Sequence, residues 1–281
     1  MPFGPARRAV LLGLLVTSAV ALSLGAQAIG ASGRAVRLPP VHAPFSYQIG
    51  GAFTPEAGVR IVDRDRHAKP VPGLYNVCYV NAFQSQTDEH KWWRAKHPDL
   101  LLTKDGRPVI DSGWGEQLLD TSTSAKRAAL AKIVGGWIAG CARHGFQAVE
   151  PDNLDSWSRS KHTLTIADNL AFAKLLAEAA HRAGVAIAQK NAAGISLRGK
   201  KAGFDFAIAE ECQAYTECDD YMKAYGDHMI EIEYPDNGGE KGFAAACRAR
   251  GAKISVVYRD RDVLPAGKRG FLEEHCDQLS G

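Results

Sequence analysis

From Phe45 toward the C-terminus, short apolar runs of strand character alternate with longer stretches in helical period, which restricts the chain to folds built on a parallel sheet with crossover helices. The strand-like runs are 46–49, 59–62, 74–80, 148–150, 185–189, 204–209, 229–233 and 254–258. Eight is the number that a closed (β/α)8 barrel needs. Between them, Ser122 or Ser124 can cap a helix over 125–143, since a hydroxyl satisfies free N–H groups at a helix start. His144 and Gly145 stop that helix. Asp168 is placed to cap a second one, in which Leu170, Ala173, Leu176, Ala177 and Ala180 recur at three- and four-residue steps before Gly184. A third covers 241–250 and ends at Gly251. An open doubly wound sheet shows the same alternation, but no glycine-rich phosphate loop follows an early strand, which favours the closed barrel.

Ahead of this domain, Arg7 and Arg8 precede an apolar run over 9–24, and Ala26-Gln27-Ala28 offers the small residues at which a signal peptidase cuts. The run contains Thr17, Ser18 and Ser23 and falls short of the roughly 20 residues of a membrane span. The expectation is a signal peptide over 1–28, secretion, and no membrane association once it is removed. Residues 29–44, rich in Gly, Ala and Pro without periodicity, read as a disordered leader, and 45–281 as one catalytic domain. Removal of 1–28 takes two arginines and no acid from a net charge of +3, leaving +1 (3 − 2). So neutral a surface gives no support for nucleic-acid binding. The remaining 253 residues (281 − 28) suffice for a single barrel, expected to be a monomer. Six cysteines in an exported chain are expected to be bridged. Cys212 and Cys218 enclose a short loop and form the expected pair, while Cys78, Cys141, Cys247 and Cys276 can pair in three ways among which the sequence does not choose.

Chemistry in such barrels sits where strands end and loops begin. The fourth run passes directly into Glu150-Pro151-Asp152-Asn153-Leu154-Asp155-Ser156-Trp157; the fifth ends in Lys190-Asn191, the sixth in Glu210-Glu211, and the seventh in Glu231, Glu233 and Tyr234. A ring of acids around one opening raises some of their pKa values, so that a protonated carboxylic acid can stand beside a carboxylate near neutral pH. Glycoside hydrolysis needs that pair. Each residue also has a plainer role. Asp152 could cap a turn, and Lys190 could neutralise the acids instead of joining Asn191 in holding sugar hydroxyls. Trp114 and Trp157 suit a core as well as a sugar platform. Glu210, after the buried run 206–209, calls for a partner.

Five strings in order, Val77-Cys78-Tyr79-Val80-Asn81-Ala82, Trp114-Gly115-Glu116-Gln117-Leu118-Leu119-Asp120, Gly145 through Asp155, Gln189-Lys190-Asn191, and Ala209 through Cys218, together resemble glycoside hydrolase family 114, the endo-α-1,4-polygalactosaminidases. The match covers most of residues 45–260. The resemblance implies a TIM-like barrel that cuts α-1,4-linked galactosamine polymers such as galactosaminogalactan, with the Asp of the Asp-Asn-x-Asp motif and the Glu of the Asn-Glu-x-Cys motif as catalytic carboxylates. On this chain these are Asp152 and Glu210. Ala209 stands where the family usually has Asn, and Val80-Asn81-Ala82-Phe83 where a Ser-Ala-Gly type of turn is usual; both changes are expected to touch the pocket.

The combined reading makes Asp152 the nucleophile, kept ionised by Lys190, and Glu210 the acid that protonates the leaving oxygen and then activates water, with the exchange of the two roles left open. Tyr79, Trp114, Glu150, Asn153, Asp155, Trp157, Lys190, Asn191 and Glu233 are the expected substrate contacts. Among them Asp155, Glu150 and Glu233 are candidates for cationic sugar amines, with Trp157 and Tyr79 adding cation–π attraction. No cofactor and no metal is expected. Two rivals stand beside this reading. A non-catalytic carbohydrate-binding protein on a degenerate barrel would show the same aromatics and groove, against which the presence of both Asp152 and Glu210 argues. A metal-dependent hydrolase would use the acids as ligands of a hard cation such as Ca2+, yet no His falls at ligand spacing. Retention or inversion depends on a carboxyl separation that no sequence supplies.

Overall fold

The computed structural model describes residues 36–276, together with Met1 and Gly4. The expected signal peptide falls, apart from those two residues, outside the described residues. Eight parallel strands are hydrogen-bonded in chain order: β1 (Phe45–Gln48), β2 (Ile61–Asp65), β3 (Tyr75–Asn81), β4 (Ala148–Asp152), β5 (Ala186–Lys190), β6 (Phe206–Glu210), β7 (Met229–Glu233) and β8 (Ser255–Arg259). Every apolar run read from the sequence is therefore a strand. A ninth, β9 (Glu273–His275), runs antiparallel to β8 and carries no apolar pattern that would announce it. Side chains bridge the seam between the two ends of this nearly closed sheet. Arg259 Nε donates to the Tyr47 carbonyl at 2.9 Å, Ser46 Oγ to Glu273 Oε2 at 3.0 Å, and the His275 ring meets the Phe45 carbonyl at 3.0 Å.

Strand residues alternate between two faces, so the sheet builds two cores. Phe45, Tyr47, Val77, Ala148, Ala186, Ala188, Phe206, Ile208, Ile230, Ile232 and Val257 fill the barrel, while Cys78, Val149, Ile187, Ala207, Ala209 and Val256 pack outward against helices. Alanines on β4 and β5 leave room inside for the rings contributed by β1 and β6. The helices are α1 (His90–Lys96), α2 (Ser124–His144), α3 (Ile166–Ala183), α4 (Ser196–Ala202), α5 (Cys212–Tyr215), α6 (Cys218–Tyr225) and α7 (Gly239–Arg250).

The caps differ from the sequence reading in detail. Thr123, not Ser122 or Ser124, accepts from the Lys126 amide at the start of α2, because Ser122 is engaged with Asp120. Thr165 caps α3 in a reciprocal box with Asp168, which sits inside the first turn and is not the cap itself. Gly145 and Gly184 end α2 and α3 in the left-handed conformation (φ 98° and 76°), as expected.

Residues 36–44, within the stretch read as a leader, lie against the N-terminal end of the barrel. Val36 and Leu38 pack on the inner core, Tyr75 Oη donates to the Arg37 carbonyl at 2.6 Å, and the Ala43 amide donates to Ser255 Oγ at 3.2 Å. At the opposite end, the connection from β3 to α2 is a long excursion. It forms a small antiparallel sheet from Gln84–Ser85, Glu116–Leu118 and Ile110–Asp111, which brings Asp111, Trp114 and Glu116 over the barrel mouth. Three disulfides join Cys78 to Cys141, Cys212 to Cys218 and Cys247 to Cys276; the expected pair is present, and the other four cysteines take one of the three open pairings.

Candidate active site

The inward-pointing residues at the C-terminal ends of the strands converge on one ammonium. Lys190, from the end of β5, is 2% exposed. Its Nζ lies 2.6 Å from Glu150 Oε1, 2.9 Å from Tyr47 Oη, 3.4 Å from Asp152 Oδ1 and 3.3 Å from Glu210 Oε2. Burial alone would lower the Lys190 pKa, but Asp152, Glu150 and Glu210 raise it well above the usual lysine value, so the cation is permanent. Each carboxylate also has a phenol of its own. Tyr47 donates to Glu150 Oε1 at 3.0 Å, Tyr79 to Asp152 Oδ2 at 2.9 Å, and Tyr234 to Glu210 Oε1 at 2.5 Å. Burial first, and the neighbouring acids next, push all three phenols well above the ordinary tyrosine value, so they remain neutral donors.

Glu210 is the better-served carboxylate. Asn191 clamps it twice, donating from Nδ2 to Glu210 Oε2 at 2.8 Å and accepting from the Glu210 amide on Oδ1 at 2.8 Å. Burial would raise its pKa, yet Lys190 and the hydrogen bonds from Tyr234 and Asn191 outweigh burial and hold it below the ordinary glutamate value. For Asp152 the balance tips the other way. Burial raises it, Lys190 opposes, and Glu150 and Glu210 add to the rise.

Around this floor stands a rim of paired charges. Arg159 holds Asp155 through two bonds of 2.9 Å, donates to Asn153 Oδ1 at 3.1 Å, and forms an ion pair with Asp111 at 2.8 Å. Arg261 grips Glu211 and Asp236 and lies over the Tyr234 ring at 4.0 Å. Glu116 accepts from Asn81 Nδ2 at 2.7 Å.

Of the residues expected from sequence, Tyr79, Trp114, Asp152, Asn153, Asp155, Lys190, Asn191 and Glu210 line one pocket. Glu150 lies beneath it, fully buried. Trp157 is half-buried where the outer core meets a small cluster of Leu102, Val109, Leu118 and Leu164. Glu233 is on the outer face of β7, where the Gln213 amide donates to it at 2.9 Å; burial, with Glu231 adding, raises its pKa to about 8. Asp111, Glu116, Arg159, Tyr234 and Arg261 also line the pocket. Arg159 had a sequence signal in its four-residue spacing from Asp155, whereas Asp111, inside the long excursion, had none. Ala209 packs in the outer core, so this departure from the family pattern faces away from the pocket, and Asn191 supplies the amide contacts to Glu210. Asn81, in the other departing segment, does reach the site through Glu116 and Asn153. Among the described residues, the one His/Cys/Asp/Glu group close enough to share a metal is Cys212, Cys218 and Glu231, whose two sulfurs are bonded to each other.

A parallel barrel with two part-buried carboxylates facing one cation at the ends of its fourth and sixth strands has the architecture of TIM-barrel glycosidases. The profile of glycoside-hydrolase family GH114 matches residues 25–280. The chain belongs to that family and is a glycoside hydrolase. Among solved structures it resembles Ega3 of Aspergillus fumigatus in complex with galactosamine (24% identity, TM-score 0.68, covering 85% of this chain and 97% of that one). It also resembles the glycoside hydrolase domain of PelA from Pseudomonas aeruginosa (16% identity, TM-score 0.54, 78% and 94%). At these identities the likeness establishes the fold. No curated protein matches the chain.

Proposed function

We propose that the protein is exported and hydrolyses α-1,4-linked galactosamine-containing polysaccharide at internal linkages, with Asp152 and Glu210 as its two working carboxylates. One observation carries this reading: residues 58 positions apart (210 − 152) face the same ammonium across one pocket. The two legs, 3.4 and 3.3 Å, cap the distance between those oxygens at 6.7 Å. That ceiling admits the separation of about 5–5.5 Å used in retention and only the lower edge of the roughly 6.5–9.5 Å that inversion needs for its water. Lys190 and its hydrogen bonds hold Glu210 below the ordinary glutamate value while burial raises Asp152, so Asp152 is the easier of the two to protonate, a direction that supports exchanging the roles read from the sequence.

Family membership and the galactosamine bound to Ega3 support the substrate class. Three disulfides support an oxidising destination. The test is incubation with partly deacetylated galactosaminogalactan of the wild type, Asp152→Asn and Glu210→Gln. Each variant is expected to lose at least roughly a hundredfold in rate. Product equal to wild type from both would end the assignment. Roles follow from leaving-group dependence: loss of the acid spares substrates with a good leaving group, and loss of the nucleophile does not.

A further inference from the structure

The acids that line the pocket are matched by cations with one exception. Lys190 serves Asp152 and Glu210, Arg159 serves Asp111 and Asp155, and Arg261 is taken by Glu211 and Asp236. Among the described residues, no lysine or arginine forms an ion pair with Glu116; its one hydrogen-bond donor is the neutral amide of Asn81. Yet Glu116 is only 9% exposed and lies directly across the antiparallel pair from Asp111. Two acids at facing positions repel, and the one bond that Glu116 accepts, from the Asn81 amide, needs no charge on it. Trp114, in the turn that joins these two short strands, is 62% exposed and lines the same pocket. A carboxylate and an accessible indole on one hairpin are the two groups that recognise an ammonium.

We infer that Glu116 and Trp114 form a specificity-determining pair that takes the free ammonium group of one galactosamine unit and discriminates against an N-acetylated unit. This rests on the galactosamine substrate proposed above. A neutral acetamide offers Glu116 no charge, and seating it there would bury the acid without a counterion. Burial raises the Glu116 pKa to about 7; the Asn81 hydrogen bond and Arg159 oppose the rise, Asp152 and Asp111 add to it, and the neutral Tyr79 phenol stands nearby. Above that pH the carboxylate is formed before the substrate arrives, and below it the ammonium must first displace a proton.

The test compares wild type, Glu116→Gln and Trp114→Ala on α-1,4-linked galactosamine oligomers, fully deacetylated and fully N-acetylated, with kcat and KM measured separately. For Glu116→Gln, KM on the deacetylated oligomer is expected to rise roughly tenfold or more, the worth of one charge-assisted hydrogen bond. Its kcat and its KM on the acetylated oligomer should stay within about twofold, and its thermal midpoint should match wild type. In wild type, 1/KM for the deacetylated oligomer should climb as pH rises toward 7, where Glu116 ionises, and fall again once the sugar amine loses its own proton at about 8; in Glu116→Gln the climb on the acid side should vanish. Trp114→Ala should weaken the same preference. An unchanged ratio of the two KM values in Glu116→Gln overturns the inference. Calorimetric binding of the same oligomers to Asp152→Asn, with and without Glu116→Gln, decides the point independently of turnover, so a wild type that cleaves neither oligomer would count against the proposed function alone.

Discussion

Lys190 is the side chain on which the inner cluster depends. A buried ammonium survives only among opposite charges, and removing one partner of such a pair leaves the others uncompensated. Lys190→Met is therefore expected to destabilise the protein by about 3–5 kcal/mol in urea unfolding, as well as to abolish turnover. Asp63, beneath the cluster, makes the opposite case. Burial, then Glu150 beside it, raises its pKa well above the aspartate range, and neither its oxygens nor Glu150 Oε2 meets another donor. The arrangement is satisfied when Asp63 keeps its proton and donates a hydrogen bond through it to Glu150 Oε2. Asn has the same shape and also donates, so Asp63→Asn should lie within about 1 kcal/mol of wild type, whereas Asp63→Leu, which strands Glu150 Oε2, should cost about 1–3 kcal/mol. Equal losses in both variants would show that Asp63 donates no hydrogen bond to Glu150 in the folded state.

At the scale of elements, β4, β5 and β6 each stop in the same way. The residue after Asp152, Lys190 or Glu210 is non-glycine and left-handed: Asn153 (φ 67°), Asn191 (φ 52°) and Glu211 (φ 62°). Asparagine tolerates this region and glutamate does so poorly, so Glu211 has to be held there by Arg261 and by its amide bond to the Ile232 carbonyl at 2.7 Å. The sharp turn leaves the last strand side chain pointing into the pocket. Strands were legible because their apolar runs are long enough to show a pattern, and the acids at their ends were legible as polar residues following buried ones. Which face an acid takes was harder to read, since both faces of a barrel strand are buried: Ile230, Ile232 and Tyr234 point inward, which sends Glu231 and Glu233 outward. The strands that carry Asp111 and Glu116 are two and three residues long, too short for any periodicity. The outward placement of Glu233 has its own consequence. Its folded pKa, about 8, exceeds the ordinary glutamate value, so its contribution to stability is full below roughly pH 4.5 and is lost as pH rises through 8. Glu233→Gln cannot ionise, so the wild type should lose stability relative to this variant between pH 5 and pH 8.5 in denaturant titrations, and parallel curves would refute the assignment.

Across the whole molecule the three disulfides divide stability from activity. Cys78–Cys141 spans 63 positions, Cys247–Cys276 spans 29 and Cys212–Cys218 spans 6. Closing a longer loop removes more freedom from the unfolded chain, which ranks their stabilising effects at about 4, 3.5 and 2.5 kcal/mol. Position ranks them differently for function. Cys78–Cys141 fastens the outer face of β3 to the end of α2 and so closes the chain around the excursion that carries Trp114 and Glu116, while Cys247–Cys276 fastens α7 to the residue after β9. Cys212–Cys218 holds the short turn that begins two residues after Glu210 and includes Gln213, whose side chain is bonded to Arg250. Paired Cys→Ala variants should therefore separate the two effects. The 78/141 variant should show the largest drop in unfolding free energy with kcat largely kept at temperatures where it stays folded. The 212/218 variant should show the smallest drop and the largest loss of kcat, because the turn no longer fixes the carboxylate against Asn191 and Tyr234. If kcat instead followed unfolding free energy across all three variants, the 212/218 bridge would be one more staple, with no part in positioning Glu210.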